Sequence, residues 1–198
     1  MLHALRAAAP LLLAACGTVP AAYPLRLAPQ QDVAVTYRLS GAQGALMRRS
    51  WLAAEARLRV EFGPVPGRAG YTILDGRGKR AFMVSDVART VTVLPWPSEA
   101  GLQDPALRAD ARFLREGQER IAGAPCILWR IEPPGAPPVR ACITADGVLL
   151  RSETEIEGHR LAREAIELRY GPQEPARFHP PEGYAVIDLT TGLPAHRL

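Results

Sequence analysis

Apolar and polar residues alternate with a period of two along most of this chain. Val33, Val35, Tyr37 and Leu39 are interleaved with Asp32, Ala34, Thr36, Arg38 and Ser40. Ala56, Leu58, Val60 and Phe62 are interleaved with Glu55, Arg57, Arg59 and Glu61. That period gives each strand one apolar face, which marks an antiparallel sheet buried on one side. Residues 70–74 and 80–84 continue the pattern around Asp75-Gly76-Arg77-Gly78, a sequence with hairpin-turn chemistry. Residues 90–94 form a further strand, ended by Pro95-Trp96-Pro97. Strands resume at 118–121, 126–131, 139–144, 148–157, 160–170 and 185–189, with turns at Asp146-Gly147 and Gly158-His159.

One segment breaks the period. Asp104 suits a helix N-cap and Pro105 the first helical position. Leu107, Ala111 and Leu114 then fall on one stripe, which predicts a short amphipathic helix over 105–115. Such a helix spans about 16 Å, too little to seal a sheet of this many strands. The sequence therefore predicts a mainly β protein with a curved antiparallel sheet and one or two short helices on its concave side. Either the sheet curls on itself or a cavity remains. The candidate lining is Val35, Tyr37, Leu58, Val60 and Phe62, with Trp96 as a cap between its two prolines.

The first residues carry a different signal. Arg6 is followed by an apolar run, Ala7 to Ala15, interrupted only by Pro10. This run is too short to span a bilayer as a helix, which needs about 20 apolar residues, and it fits the apolar region of a secretory leader. Leu13-Ala14-Ala15-Cys16 closes it and resembles the lipobox of bacterial lipoproteins. That resemblance implies removal of residues 1–15 and lipidation of Cys16. Residues 16–31, rich in small residues and proline, then read as a tether, with ordered structure from about Asp32 to Leu189 and a tail over 190–198.

The chain has three cysteines. With Cys16 lipidated, Cys126 and Cys142 are left to pair in an oxidising compartment. They flank the turn region Pro133-Pro134-Gly135-Ala136-Pro137-Pro138. A three-residue loop, 133–135, would place Cys126 directly opposite Cys142, within disulfide reach. Pro134 is poorly placed in such a turn, and Pro138 cannot donate to the ladder. A symmetric six-residue loop would instead set Cys142 opposite Trp129. The disulfide is the expected pairing.

Charge and polar chemistry add little. The 24 basic and 20 acidic residues leave a net charge of +4, spread along the chain, which does not describe a nucleic-acid surface. The four histidines, His3, His159, His179 and His196, lack metal-site spacing. Gly76-Arg77-Gly78-Lys79 has neither the spacing nor the following helix of a phosphate loop. No serine sits in a nucleophile elbow, so no catalytic residue, metal or cofactor is expected. Glu153, Glu155 and Glu157 form one solvent-facing row.

Taken together, the lipobox, the proline-rich tether, the meandering strands with a helix inserted midway and the C-terminal Phe178-x-x-Pro181-x-Gly183-Tyr184 resemble the LolA/LolB-like lipoproteins. The stretch from Ala124-Pro125-Cys126 through Ala141-Cys142-Ile143-Thr144-Ala145-Asp146-Gly147 to Arg151 is similar to uncharacterised relatives of that group. The resemblance covers about residues 32–189 and rests on short structural motifs. It implies a half-open β-barrel with helices on its concave side, and a hydrophobic or acyl-chain ligand. The expectation is a non-enzymatic binding or carrier protein in the envelope of a Gram-negative bacterium, held by N-terminal lipid, on the periplasmic face of the outer membrane. The alternative is a structural lipoprotein that scaffolds an envelope complex.

Overall fold

The computed structural model describes residues 26–40, 45–63, 70–96 and 103–190. The leader, Cys16 and residues 191–198 lie outside the described residues. The alternating segments form β1 (Val33–Leu39), β2 (Leu46–Leu52), β3 (Arg57–Phe62), β4 (Gly70–Asp75), β5 (Arg80–Ser85) and β6 (Thr90–Pro95). They are followed by β7 (Arg112–Ile121), β8 (Ala124–Glu132), β9 (Val139–Ile143), β10 (Leu149–Ile156), β11 (His159–Tyr170) and β12 (Ala185–Asp188). Among the described residues these make one curved, open sheet in the order β12-β6-β5-β4-β3-β2-β1-β11-β10-β9-β8-β7. Its edges, β12 and β7, do not meet in a ladder, so the barrel stays open.

The structure departs from the sequence reading in several places. First, residues 105–115 are not helical, and no α-helix occurs among the described residues. Asp104 does cap, but it caps a turn: its Oδ1 accepts the Ala106 N–H at 3.0 Å. From Arg112 the chain pairs with β8 instead, because a ladder partner outweighs the weak intrinsic preference of so short a helix. Second, β2 carries no alternation that would announce it, since Arg48-Arg49-Ser50 stands at its centre. Third, β12 runs parallel to β6, so the sheet is not wholly antiparallel. Fourth, the expected tether is packed from Leu27 onward: Pro29 is buried, and Leu27 and Ala28 lie against the core. Gly147 makes room for this segment; a Cβ there would stand 2.5 Å from the Ala28 carbonyl oxygen.

The β8–β9 hairpin adopts neither expected register. Ile131 faces Val139 and Leu128 faces Cys142, leaving 132–138 as the connection. Pro137 and Pro138 have no N–H to give, so the ladder begins only at Val139. Cys126 is thus the diagonal neighbour of Cys142, and the bonded pair has its Cα atoms 5.4 Å apart.

Register defines the inner face of β1 to β6. Val33, Trp51, Leu58, Leu74, Ala81 and Leu94 form one row; Val35, Arg49, Val60, Thr72, Met83 and Thr92 form the next. Beyond it lie Tyr37, Met47 and Phe62. A second buried cluster sits on β8 and β9, where Trp129, Ile131, Ala141 and Ile143 are covered by Ala106, Leu107 and Ala111. The outer face of β3 is covered by the C-terminal segment. A 3₁₀ turn, Pro175–Phe178, buries Phe178 completely. Arg57 donates to the Phe178 carbonyl at 3.1 Å and Arg59 to the Arg177 carbonyl at 3.0 Å. Arg177 in turn pairs with Glu61 at 3.1 Å.

Candidate functional site: a plugged inner face

The inner face is where the sequence places a ligand, and the structure fills it there. Val35 and Tyr37 on β1 and Leu58 on β3 are buried together with Val33, Trp51 and Val148. The space left between them, Pro29, Arg49 and Gln103 is about 10 Å³, room for about one water. Val60 and Trp96 are partly buried against the same cluster. Phe62 is 58% exposed at the far end of β3.

The filling is the turn segment that carries Gln103 and Asp104. Its side chain is bonded on both ends: Nε2 donates to the Leu27 carbonyl at 2.9 Å and the Gly147 carbonyl at 2.7 Å, and Oε1 accepts from the Leu149 N–H at 3.2 Å. Its main-chain carbonyl accepts from two guanidinium groups, Arg49 and, at 3.0 Å, Arg163. The next residue, Asp104, accepts from Arg163 at 2.6 Å and from the Ser152 hydroxyl at 2.8 Å. Thus β2, β10 and β11 all reach inward to hold one short segment against the sheet. Tyr37 closes the group: its hydroxyl donates to the Leu149 carbonyl at 2.5 Å, and the Arg163 guanidinium lies 5.9 Å from its ring centre.

Electrostatics agree with the geometry. Burial, reinforced by the like charge of Arg163, pulls the Arg49 guanidinium down to about 10. Burial pushes the Tyr37 hydroxyl up. A charge is tolerated inside only when hydrogen-bonded, which is what the Gln103 carbonyl supplies. Arg49, Gln103, Ser152 and Arg163 carry no motif and escape a reading by pattern. The signal that could find Arg49 is its place two residues from Met47 and Trp51, on a face otherwise apolar.

Chemically the cluster can bind and position; its Ser152 hydroxyl shares the Asp104 carboxylate with Arg163. Among the described residues no group of histidine, cysteine, aspartate or glutamate side chains is arranged to hold a metal. His179 lies on the outer face against Arg57 and Glu55, and His159 starts β11. Gly76 to Lys79 form the β4–β5 turn, where Asp75 Oδ1 accepts the Arg77 and Gly78 N–H groups at 3.1 and 2.7 Å. Glu153 pairs with Arg160 at 2.7 Å, so the acidic row is partly neutralised. No helix among the described residues is long and apolar enough to cross a membrane.

No protein-family model matches the sequence, and no curated protein matches it. Solved structures do share the fold. An uncharacterized conserved protein from Thermus thermophilus superposes with a TM-score of 0.58 at 18% identity, over 80% of this chain and 91% of that one. The MucA/MucB complex of Pseudomonas aeruginosa contains a chain matching at a TM-score of 0.52 and 15% identity, over 84% of this chain and 62% of that one. A putative outer membrane lipoprotein-sorting protein domain from Vibrio parahaemolyticus matches at a TM-score of only 0.29 and 13% identity, over 75% of this chain and 89% of that one, too low to bear on the fold. At these identities the likeness is one of architecture: an open, curved β-sheet common to this chain, the Thermus protein and MucB.

Proposed function

We propose that this protein is a non-enzymatic interaction module of the bacterial cell envelope, lipid-anchored through Cys16, that holds another polypeptide. The observation that carries this reading is the plug: the inner wall formed by Val35, Tyr37 and Leu58 leaves about 10 Å³, far short of an acyl chain. Apolar surface is left instead at Phe62, Met83, Val186 and Ile187. A filled core with exposed apolar side chains favours a partner over a cargo. The fold likeness to MucB, solved in complex with MucA, is in keeping with this.

The test is in-cell cross-linking followed by mass spectrometry, alongside membrane fractionation of Cys16→Ser. A defined polypeptide partner, and release of Cys16→Ser from membranes, is the expected result. A protein that cross-links to no polypeptide and co-purifies with lipid would sink it. A second reading, a carrier of a hydrophobic ligand, is favoured by one observation: the apolar wall lies behind a segment held mainly by polar bonds at Gln103 and Asp104. In that case native mass spectrometry of Asp104→Ala should reveal a lipid-sized adduct.

A further inference from the structure

The sheet has two edges, and they are built differently. β7 is ten residues long and carries Arg112, Arg115, Glu116, Glu119 and Arg120. Glu116 pairs with Arg140 at 3.1 Å and Glu119 with Arg151 at 2.7 Å. Its ladder is shifted between Arg115 and Gly117. Charges and a bulge are the usual protection of an edge against further pairing.

β12 has no such protection among the described residues. The Ala185 N–H donates to the Arg89 carbonyl at 2.9 Å and the Leu189 N–H to the Val93 carbonyl at 3.0 Å. Alternate residues face β6, so Val186 and Asp188 turn their N–H and C=O groups to the open side. Ile187 gives the strand one apolar face, and on the other Val186 stands beside Asp188. Ile187 is 49% exposed and stands opposite Thr92, in line with the 51% exposed Met83 of the inner row. Val186 is 66% exposed on the outer face. The charge of the strand, on Asp188, is turned back on its own chain, accepting from the Thr190 N–H at 2.8 Å and hydroxyl at 2.5 Å. The strand is also well anchored where it begins: the Tyr184 hydroxyl donates to Asp86 at 3.1 Å, and Arg89 lies 5.1 Å from the Tyr184 ring centre.

We propose that β12 is a docking edge that takes an extended segment of another polypeptide as an added strand. The segment has apolar side chains at alternate positions, because its nearest neighbours on the edge strand would be Ile187 on one face and Val186, with Asp188 beside it, on the other. Main-chain bonds to Val186 and Asp188 supply the ladder, and the apolar contacts supply selectivity. A four-residue edge gives a second copy of this chain little to grip in symmetric pairing, whereas a flexible segment needs only one short run of main-chain bonds. This rests on the interaction-module reading and names the surface and the class of partner.

The probe is a fluorescent synthetic peptide with the sequence of residues 89–96, the strand β12 already accepts on its other side. Saturable binding is expected, with at least tenfold slower hydrogen exchange at the Val186 and Asp188 amides. Val186→Pro removes an outward N–H while sparing the bonds to β6 and should weaken binding at least tenfold. Should that variant misfold, a peptide N-methylated at alternate residues, added to the unaltered protein, must lose affinity to the same extent. No saturable binding, or binding indifferent to both changes, overturns the proposal. So does self-association that Val186→Pro abolishes, since the occupant would then be a second copy. A cross-linked partner mapped away from β12 overturns the edge and leaves the module; no polypeptide partner at all overturns the module itself.

Discussion

The inner face of this sheet begins and ends with similar side chains, yet its two ends meet different fates. Near β1 and β2, Val35 and Tyr37 are buried against a segment clamped by Arg49, Arg163 and Ser152, and Met47 is buried beside Tyr37. Towards β5 and β12, Met83 and Ile187 stand half exposed in the row that starts with Val35. Strand periodicity chooses which side chains share a face. What lies across that face decides whether they form a core or a surface.

This contrast can be broken most severely at its best-packed points. Trp129→Ala, emptying a fully buried site under Ala106 and Leu107, should cost about 3–5 kcal/mol in denaturant unfolding. Reducing the Cys126–Cys142 bridge, which spans a sequence separation of 16, should cost about 3 kcal/mol in the chain-entropy account. Asp104→Ala removes the acceptor shared by Arg163 and Ser152 and should cost about 2 kcal/mol. It should also speed amide exchange in the plug segment before the rest of the sheet.

The outer face of the open half offers a subtler test. Burial alone would raise the Glu61 carboxyl, but the hydrogen bond from Arg59 and the charges of Arg59 and Arg177 hold it below the usual carboxylate value of 4.5. The folded state therefore binds that proton less readily than the unfolded chain. Its stabilisation is complete above the unfolded value and fades as pH falls through the folded one. Glu61→Gln should accordingly show a shallower loss of Tm between about pH 5 and about pH 3. The smallest effect belongs to the exposed end of β3: Phe62→Ser should change stability by less than about 0.5 kcal/mol, far less than the same change at buried Tyr37 in the same row.

The strands that follow a strict period of two were legible in advance: β1, β3, β4, β5, β6 and β10 fall within a residue or two of expectation. β2 was not, because a buried arginine on an inner position looks like a surface residue until its partner, the Gln103 carbonyl, is known. The helix over 105–115 failed for a related reason. Leu107 and Ala111 are apolar because they cover Trp129 and its neighbours, not because they share a helical stripe. Val35, Tyr37 and Leu58 fall in one buried cluster, but no pattern along the chain could say that Gln103 would stand against them.

The sequence by itself determined that this is a β-sheet protein, which residues share each face of most of its strands, and where its leader-like segment and cysteines lie, since these follow from local alternation and spacing. Only the tertiary structure decided which part of the inner face is closed, how the hairpin register pairs Cys126 diagonally with Cys142, and which sheet edge is left unguarded. Those outcomes depend on groups far apart in the chain, such as Arg49 with Gln103 or Val186 beside β6, and a hydrogen bond between distant residues leaves no period to read.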